Sequence, residues 1–378
     1  DQNIQEKLNQ ISTNREALIG RIKKKKYSYI EITDKDQKAN QLYHSKVVSG
    51  FKFPEDFHCE LAMKYKSDVE KNEFFKVLQN MPKGCLLHHH LEDCIDIKWL
   101  SDEVIKKENI KYIYMRKFKN NYDSLIYTKK PNETDKPFKD IIEAYLKENS
   151  GKTPYDYFYP RLTMLPEELE NVKNNDEAWA LFMPKYFFCI NLIAYKAFYR
   201  QHIRNTFLQC IEDKQYRLES RMTLGSVRDE NYELISEDEE CTIFKEEVEY
   251  VNSKNLETEF TFGIIIQMIR NKTDEVIANT IKQSIALRKK YPDIICGIDL
   301  GGDENNFRTF QDLTPVMLTN DDPYLPWILH CGESIRGSNY NLVDGYLNGS
   351  KRFGHCINLF KLGNLLEHVK KKGIILES

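Results

Sequence analysis

The sequence predicts an α/β fold, a TIM-type (β/α)8 barrel preceded by an N-terminal helical extension. Three observations predict it. From residue 81 onward, short apolar runs alternate with longer amphipathic stretches, the rhythm of strand followed by helix. The runs are almost continuously apolar, as parallel strands are when helices cover both faces of their sheet. The chain has 378 residues, 41% of them hydrophobic, which accommodates one barrel of roughly 250 residues and an extra segment.

Residues 1–80 read as a polar helical extension. Ile4, Leu8 and Ile11 recur at helical spacing, as do Leu18 and Ile22. Such a stretch is expected to pack on the main domain, on a protein partner or on a second copy of the chain. Residues 81–378 make the barrel. Strand candidates are residues 85–90, 217–224, 259–266, 294–300, 326–330, 352–359 and 373–377, one fewer than a closed eight-stranded barrel needs. Between the third and fourth lies a helix with Val276, Ile277, Ile281, Ile285 and Leu287 along one side, and residues 184–211 read as one long amphipathic helix. Residues from about 100 to 165, rich in Lys, Asn and Tyr, interrupt the repeat and are expected to be an insertion on the surface.

Charge narrows the function classes. Lys and Arg number 55 against 58 Asp and Glu, a net charge of -3, so no broad basic surface is expected and nucleic acid is excluded as the main partner. The basic run at 23–26 and the acidic run from 236 read as solvated faces. No apolar run is long enough to span a membrane. The nine cysteines include no CxxC pair, and an odd count in a long chain argues for reduced thiols in an intracellular, cytoplasmic setting rather than a disulfide scaffold. Secretion is the alternative: the chain begins at Asp1, and Asn132, Asn271 and Asn348 lie in short glycosylation-type motifs.

The polar residues that could do chemistry gather at strand ends, where barrel enzymes place their active groups. In Leu87-His88-His89-His90, residues two apart share a face, so His88 and His90 point into the barrel mouth while His89 points away. Two imidazoles on one strand make half of a zinc site, though alone the pair also fits a polar strand end. In Trp327-Ile-Leu-His-Cys-Gly-Glu333, His330 is a possible third nitrogen ligand, and Glu333 lies close by as a proton donor and acceptor. Arg352-Phe-Gly-His355-Cys356 brings another histidine to the same end. Cys296-Gly-Ile-Asp-Leu-Gly-Gly-Asp-Glu304 ends a strand in paired glycines, which let a backbone approach a ligand; its spacing is not that of a phosphate-cradling loop. Of nine histidines, five fall in these strand-end clusters, which core packing does not explain.

Together these segments resemble the adenosine deaminase superfamily, and Met81-Pro-Lys-Gly-Cys-Leu-Leu-His-His-His90 looks most like its adenosine deaminase-related growth factor branch. Gly297-Ile-Asp-Leu-Gly-Gly-Asp-Glu304 is similar to the family's GxDLxGDE strand, His330-Cys-Gly-Glu333 to HAGE, and Arg352-Phe-Gly-His-Cys356 to RIGHG. The resemblance implies a barrel of the metal-dependent hydrolase kind and a zinc-dependent conversion of adenosine, or a related aminopurine nucleoside, to inosine and ammonia. It implies that His88, His90 and His330 bind Zn2+, that Glu333 protonates the purine ring, and that His355 orients or deprotonates the attacking water. Gly302 would contact the purine through its backbone. Glu92, where the family usually has Asp, would hold the ribose hydroxyl. The family's eighth strand carries an SDDP-type segment whose first Asp completes the metal site. This sequence stops at Leu376-Glu-Ser378, so it is expected to be a piece of a longer protein. The alternative functions are a catalytically impaired barrel serving as an interaction scaffold, and a related hydrolase acting on a modified purine or nucleotide.

Overall fold

The computed structural model of the chain describes residues 33–43, 45, 65–118, 121–254, 256–334 and 340–377. The helical repeats expected around Ile4 to Ile22, the basic run at 23–26 and Cys59 lie outside the described residues. The chain divides into two compact units, Asp1–Gln79 and Asn80–Ser378. In the first, helices cover Asp34–Tyr43 and Lys66–Lys71. The former starts where Thr33 and Asp36 cap each other, Thr33 N–H donating to Asp36 Oδ2 at 2.8 Å and Asp36 N–H to Thr33 Oγ1 at 3.3 Å. No helix among the described residues is long and apolar enough to cross a membrane.

The second unit is α/β. Strand β1 (Leu86–His90) is followed by β2 (Ile113–Lys117), β3 (Asp123–Tyr127) and β4 (Lys136–Pro137), then by β5 (Arg217–Met222), β6 (Thr261–Ile269), β7 (Ile295–Gly301), β8 (Ile328–Cys331), β9 (Arg352–His355) and β10 (Ile375–Glu377). One parallel sheet has the order β1-β5-β6-β7 and another β10-β9-β8. A single parallel bridge from Ile298 to Trp327 links β7 to β8. The seven parallel strands therefore run in chain order, with helices such as Glu237–Asn252 and Asp274–Lys290 in the crossovers, the arrangement parallel strands require. Among the described residues β1 and β10 each pair on one side only. The sheet curls nonetheless: the Arg221 guanidinium of β5 reaches Asp299 of β7 at 3.2 Å and Glu377 of β10 at 2.6 Å.

The apolar core lies between the sheet and its helices, around Phe207, Phe244, Phe262, Ile277, Ile281 and Phe310. Inside the curl the residues are charged. Several expected bounds shift for physical reasons. The third strand begins and ends later than residues 259–266, and the fifth and seventh are shorter than expected. The sixth stops at His355, because His355 and Cys356 take left-handed φ of 64° and 47° and the chain continues as a 3-10 turn over Ile357–Lys361. The helix expected over 184–211 is two, Asn175–Ile193 and Lys196–Glu212. The loop after β5 separates them: Arg228 N–H donates to Ala194 O at 2.8 Å and Lys196 N–H to Arg228 O at 2.7 Å, replacing bonds that a continuous helix would make. In Asp274–Lys290, Ile277, Ile281 and Leu287 are buried but Val276 is exposed, facing away from the sheet.

The region expected as a surface insertion has an interior of its own. β2 pairs antiparallel with β3 and β4. Leu100, Ile113, Leu125, Phe138, Phe158 and Phe188 form a second apolar cluster, separate from the core of the parallel strands.

Candidate active site

Four imidazoles converge at the C-terminal ends of β1, β8 and β9. Along β1 the side chains alternate: His88 and His90 face inward, while His89 turns away to Ser220 Oγ at 2.9 Å. The His88 ring centroid lies 5.5 Å from that of His90, 4.8 Å from His330 and 4.5 Å from His355. His90 Nε2 and His330 Nε2 are 3.1 Å apart. Nitrogen ligands of His88, His330 and His355 lie within 4.8 Å of one another. Gly354 makes this possible. It is the register partner of both His330 and Glu377, and a Cβ there would sit 2.8 Å from His88 Cε1.

The residues fit a small cation. His88 Nε2 is buried with no hydrogen-bond partner, a state that costs energy unless something fills it. The 3.1 Å between the nitrogens of His90 and His330 is close to the spacing of about 3.3 Å that two ligands take on a tetrahedral zinc with bonds of about 2.0–2.1 Å. Each Nδ1 of the inner pair is held from behind. His88 Nδ1 meets Glu377 Oε2 at 3.2 Å, and His330 Nδ1 makes a very short contact with Asp299 Oδ2. Metal-binding histidines are oriented in this way.

Electrostatics keep three of the imidazoles neutral. Burial, with His330 and His88 adjacent, pushes the His90 pKa down to about 2. Burial and the same two neighbours take His355 to about 3. His330 is lowered by burial, against the pull of Asp299. Burial opposes charge on Asp299, but His330 and Arg221 outweigh it and hold the carboxyl below its ordinary range. Glu333 goes the other way: burial, then the neighbouring Glu304, push its pKa up to about 7. Its Oε1 lies 3.7 Å from His355 Nε2. Its backbone is fixed by Glu304, whose carboxylate accepts from Gly332 N–H at 2.8 Å and Glu333 N–H at 2.7 Å.

The structure thus brings together His88, His90, His330, Glu333 and His355. Gly302 follows β7 with φ of 100°, and a Cβ there would strike the Phe307 ring at 2.9 Å. Glu92 sits in the 3-10 turn after β1, where its Oε1 accepts from Thr223 N–H at 3.2 Å and burial lifts its pKa to about 7. Among the described residues no hydrogen bond joins Glu92 or Gly302 to the imidazoles. Sequence reasoning missed Asp299, Arg221, Glu377 and Glu304. The available signal was a charged residue inside an otherwise apolar strand, as in Arg217-Leu-Glu-Ser-Arg221 and Ile298-Asp-Leu300: such a group must be paired to be buried.

No family model matches the chain. The sequence is similar to adenosine deaminase 2 of Homo sapiens, 27% identical over 86% of this chain and 64% of that protein. It is also similar to adenosine deaminase 2 of Dictyostelium discoideum, 25% identical over 98% of this chain and 69% of that protein. An adenosine deaminase of Aedes albopictus is 25% identical over 81% of this chain and 57% of its own length. The chain spans a little under two thirds of the length of the human relative. A solved adenine deaminase from Arthrobacter aurescens overlays 78% of this chain and 71% of its own with a TM-score of 0.48 at 11% identity. Over most of its length, then, the sequence is similar to proteins named adenosine deaminase, those named adenosine deaminase 2 among them.

Proposed function

We propose that the site carries out zinc-dependent hydrolytic deamination of adenosine, or of a related aminopurine nucleoside, to inosine and ammonia. One observation carries the reading: four imidazoles from three strands surround a point beside Glu333, a carboxyl whose pKa near 7 lets it hold a proton at neutral pH. The relatives named adenosine deaminase support the choice of substrate.

His88, His90 and His330 would hold the metal. What a bound zinc supplies here is a water of lowered pKa, near 7 rather than near 16. Glu333, protonated at a carboxyl oxygen, donates to a ring nitrogen of the purine and so makes the carbon bearing the amino group more electrophilic. His355, neutral at pH 7, offers a ring lone pair to orient the attacking water. One proton of that water leaves with the amino group as ammonia as the C–N bond breaks, and the other returns to Glu333 as the new oxygen becomes the carbonyl. The Gly302 backbone would contact the purine ring, and Glu92 would hold a sugar hydroxyl.

The test is direct. The protein is loaded with zinc, its metal content measured, and adenosine absorbance followed alongside AMP and N6-methyl analogues. Loss of adenosine absorbance with one zinc per chain is expected. Zinc-loaded protein that turns over none of these aminopurines overturns the proposal.

A further inference from the structure

Beneath the imidazoles runs a line of paired charges through the inside of the sheet. Arg352 Nη2 meets Glu219 Oε2 at 2.5 Å and Arg352 Nε meets Glu377 Oε1 at 2.7 Å. Arg221 Nη2 donates to the other oxygen of Glu377 at 2.6 Å, Arg221 Nε to Asp299 Oδ2 at 3.2 Å, and Arg221 Nη1 to Leu87 O at 3.2 Å. Arg221 is fully buried and its side chain has no exposure. A buried guanidinium is costly unless every acceptor around it is well placed, and here three strands converge on it.

What those acceptors do next gives the residue a role. Glu377 holds Nδ1 of His88, and Asp299 holds both Nδ1 and the backbone N–H of His330, the latter at 2.8 Å. A carboxylate oxygen accepts and a ring N–H donates, so each of these contacts places the imidazole proton on Nδ1. The lone pair of each ring is then left on Nε2. His88 Nε2 is the buried atom without a partner, and His330 Nε2 is the atom facing His90. We propose that Arg221 is a positioning residue shared by His88 and His330: one guanidinium fixes two carboxylates, and these set the tautomer and spacing of both imidazoles. Lysine could not replace it. A single ammonium cannot span Glu377, Asp299 and Leu87 O in the fixed fork that Arg provides.

The inference rests on the reading that His88 and His330 hold a metal, and the experiment separates the two. Zinc affinity is measured by competition with a chromophoric chelator on the whole chain. In the same proteins without metal, the imidazole tautomers of His88 and His330 are read from 15N NMR. Arg221→Lys and Glu377→Gln are each expected to weaken zinc by about 10- to 100-fold and to shift His88 from the Nδ1–H form toward a tautomer mixture. Glu219→Gln, one link further along the same line and touching neither imidazole, is expected to leave both readouts at wild-type values. If Arg221→Lys does not fold, Arg221→Gln is read in its place. A folded Arg221 variant with unchanged zinc affinity and unchanged tautomers overturns the proposal, as does an equal loss of zinc in Glu219→Gln. Wild-type protein that binds no zinc overturns the metal reading instead, while the tautomer readout still decides the role of Arg221.

Discussion

At the scale of single residues, Glu333 and Gly354 make the sharpest claims. The Glu333 carboxyl is useful as a proton donor because burial lifts its pKa to about 7. The sign follows: the donor is protonated below about pH 7 and lost above it, so the alkaline limb of the rate profile should report it. Glu333→Gln keeps the shape but removes the transferable proton. It is expected to lower kcat by about 100- to 10,000-fold while zinc binding is retained; a variant that keeps wild-type turnover would show that Glu333 is a bystander. Gly354 is a claim about space. A methyl group there would approach His88 Cε1 to 2.8 Å and Nδ1 to 3.1 Å, with Arg221 Nη2 at 3.4 Å. The His88 ring cannot yield freely, because Glu377 holds its Nδ1. Gly354→Ala should therefore weaken zinc more than it lowers the melting temperature. The reverse ranking in a paired chelator titration and melt would sink this explanation.

At the scale of elements, most strands were legible as short apolar runs, and three end in a histidine or a glycine, at His90, Gly301 and His355. Their partners were not. Asp299, Arg221 and Glu377 look like polar interruptions when read along one strand. They become a network only when register sets His90 beside Arg221, Gln267 beside Asp299 and Gly354 beside both His330 and Glu377. The insertion was illegible for a different reason. Its core uses tyrosine, as in the Tyr145–Tyr157 pair with centroids 5.0 Å apart, and a residue that is both apolar body and polar tip blurs periodicity. Arg270 shows the same dependence on neighbouring strands. Fully buried, it donates from Nε to Leu300 O at 3.2 Å and from Nη2 to His330 O, with Phe310 beneath the guanidinium at 4.3 Å. It ties the ends of β7 and β8 to β6. Arg270→Met removes the guanidinium donor from two buried carbonyls, and a loss of about 1–3 kcal/mol for each acceptor stranded is expected in a denaturant titration. An unchanged midpoint would mean that other groups already satisfy those carbonyls.

At the scale of the whole molecule, the same burial that tunes the site sets how stability responds to pH. Glu92, Glu240 and Glu333 have pKa values raised by burial to about 7. Their contribution is full below the unfolded value of about 4.3 and is lost as the pH rises toward 7. The buried histidines act in the opposite direction. His89, His90 and His355 are pushed by burial to about 4, 2 and 3. Below about pH 6.5 the unfolded chain binds protons that the folded chain refuses, so stability is lost as the pH falls. Between about pH 4.5 and 6.5 three groups of each kind oppose one another, at about 1.4 kcal/mol per pH unit per proton, and the slopes cancel to first order. His202 and His330, also lowered by burial, tip the balance toward higher pH. Above 6.5 only the carboxyls remain, and stability declines. Below 4.5 the histidines act alone, joined by Asp299 and Glu377, whose lowered pKa values make their contribution vanish as the pH falls through the acid range. The metal-free protein is therefore expected to melt highest near pH 6.5, to lose stability gradually down to pH 4.5 and to collapse below it. Melts in chelator across pH 3.5 to 8 test this, and a melting temperature that climbs without pause from pH 4 to 8 would mean that the buried carboxyls are ionised in the folded state, Glu333 among them.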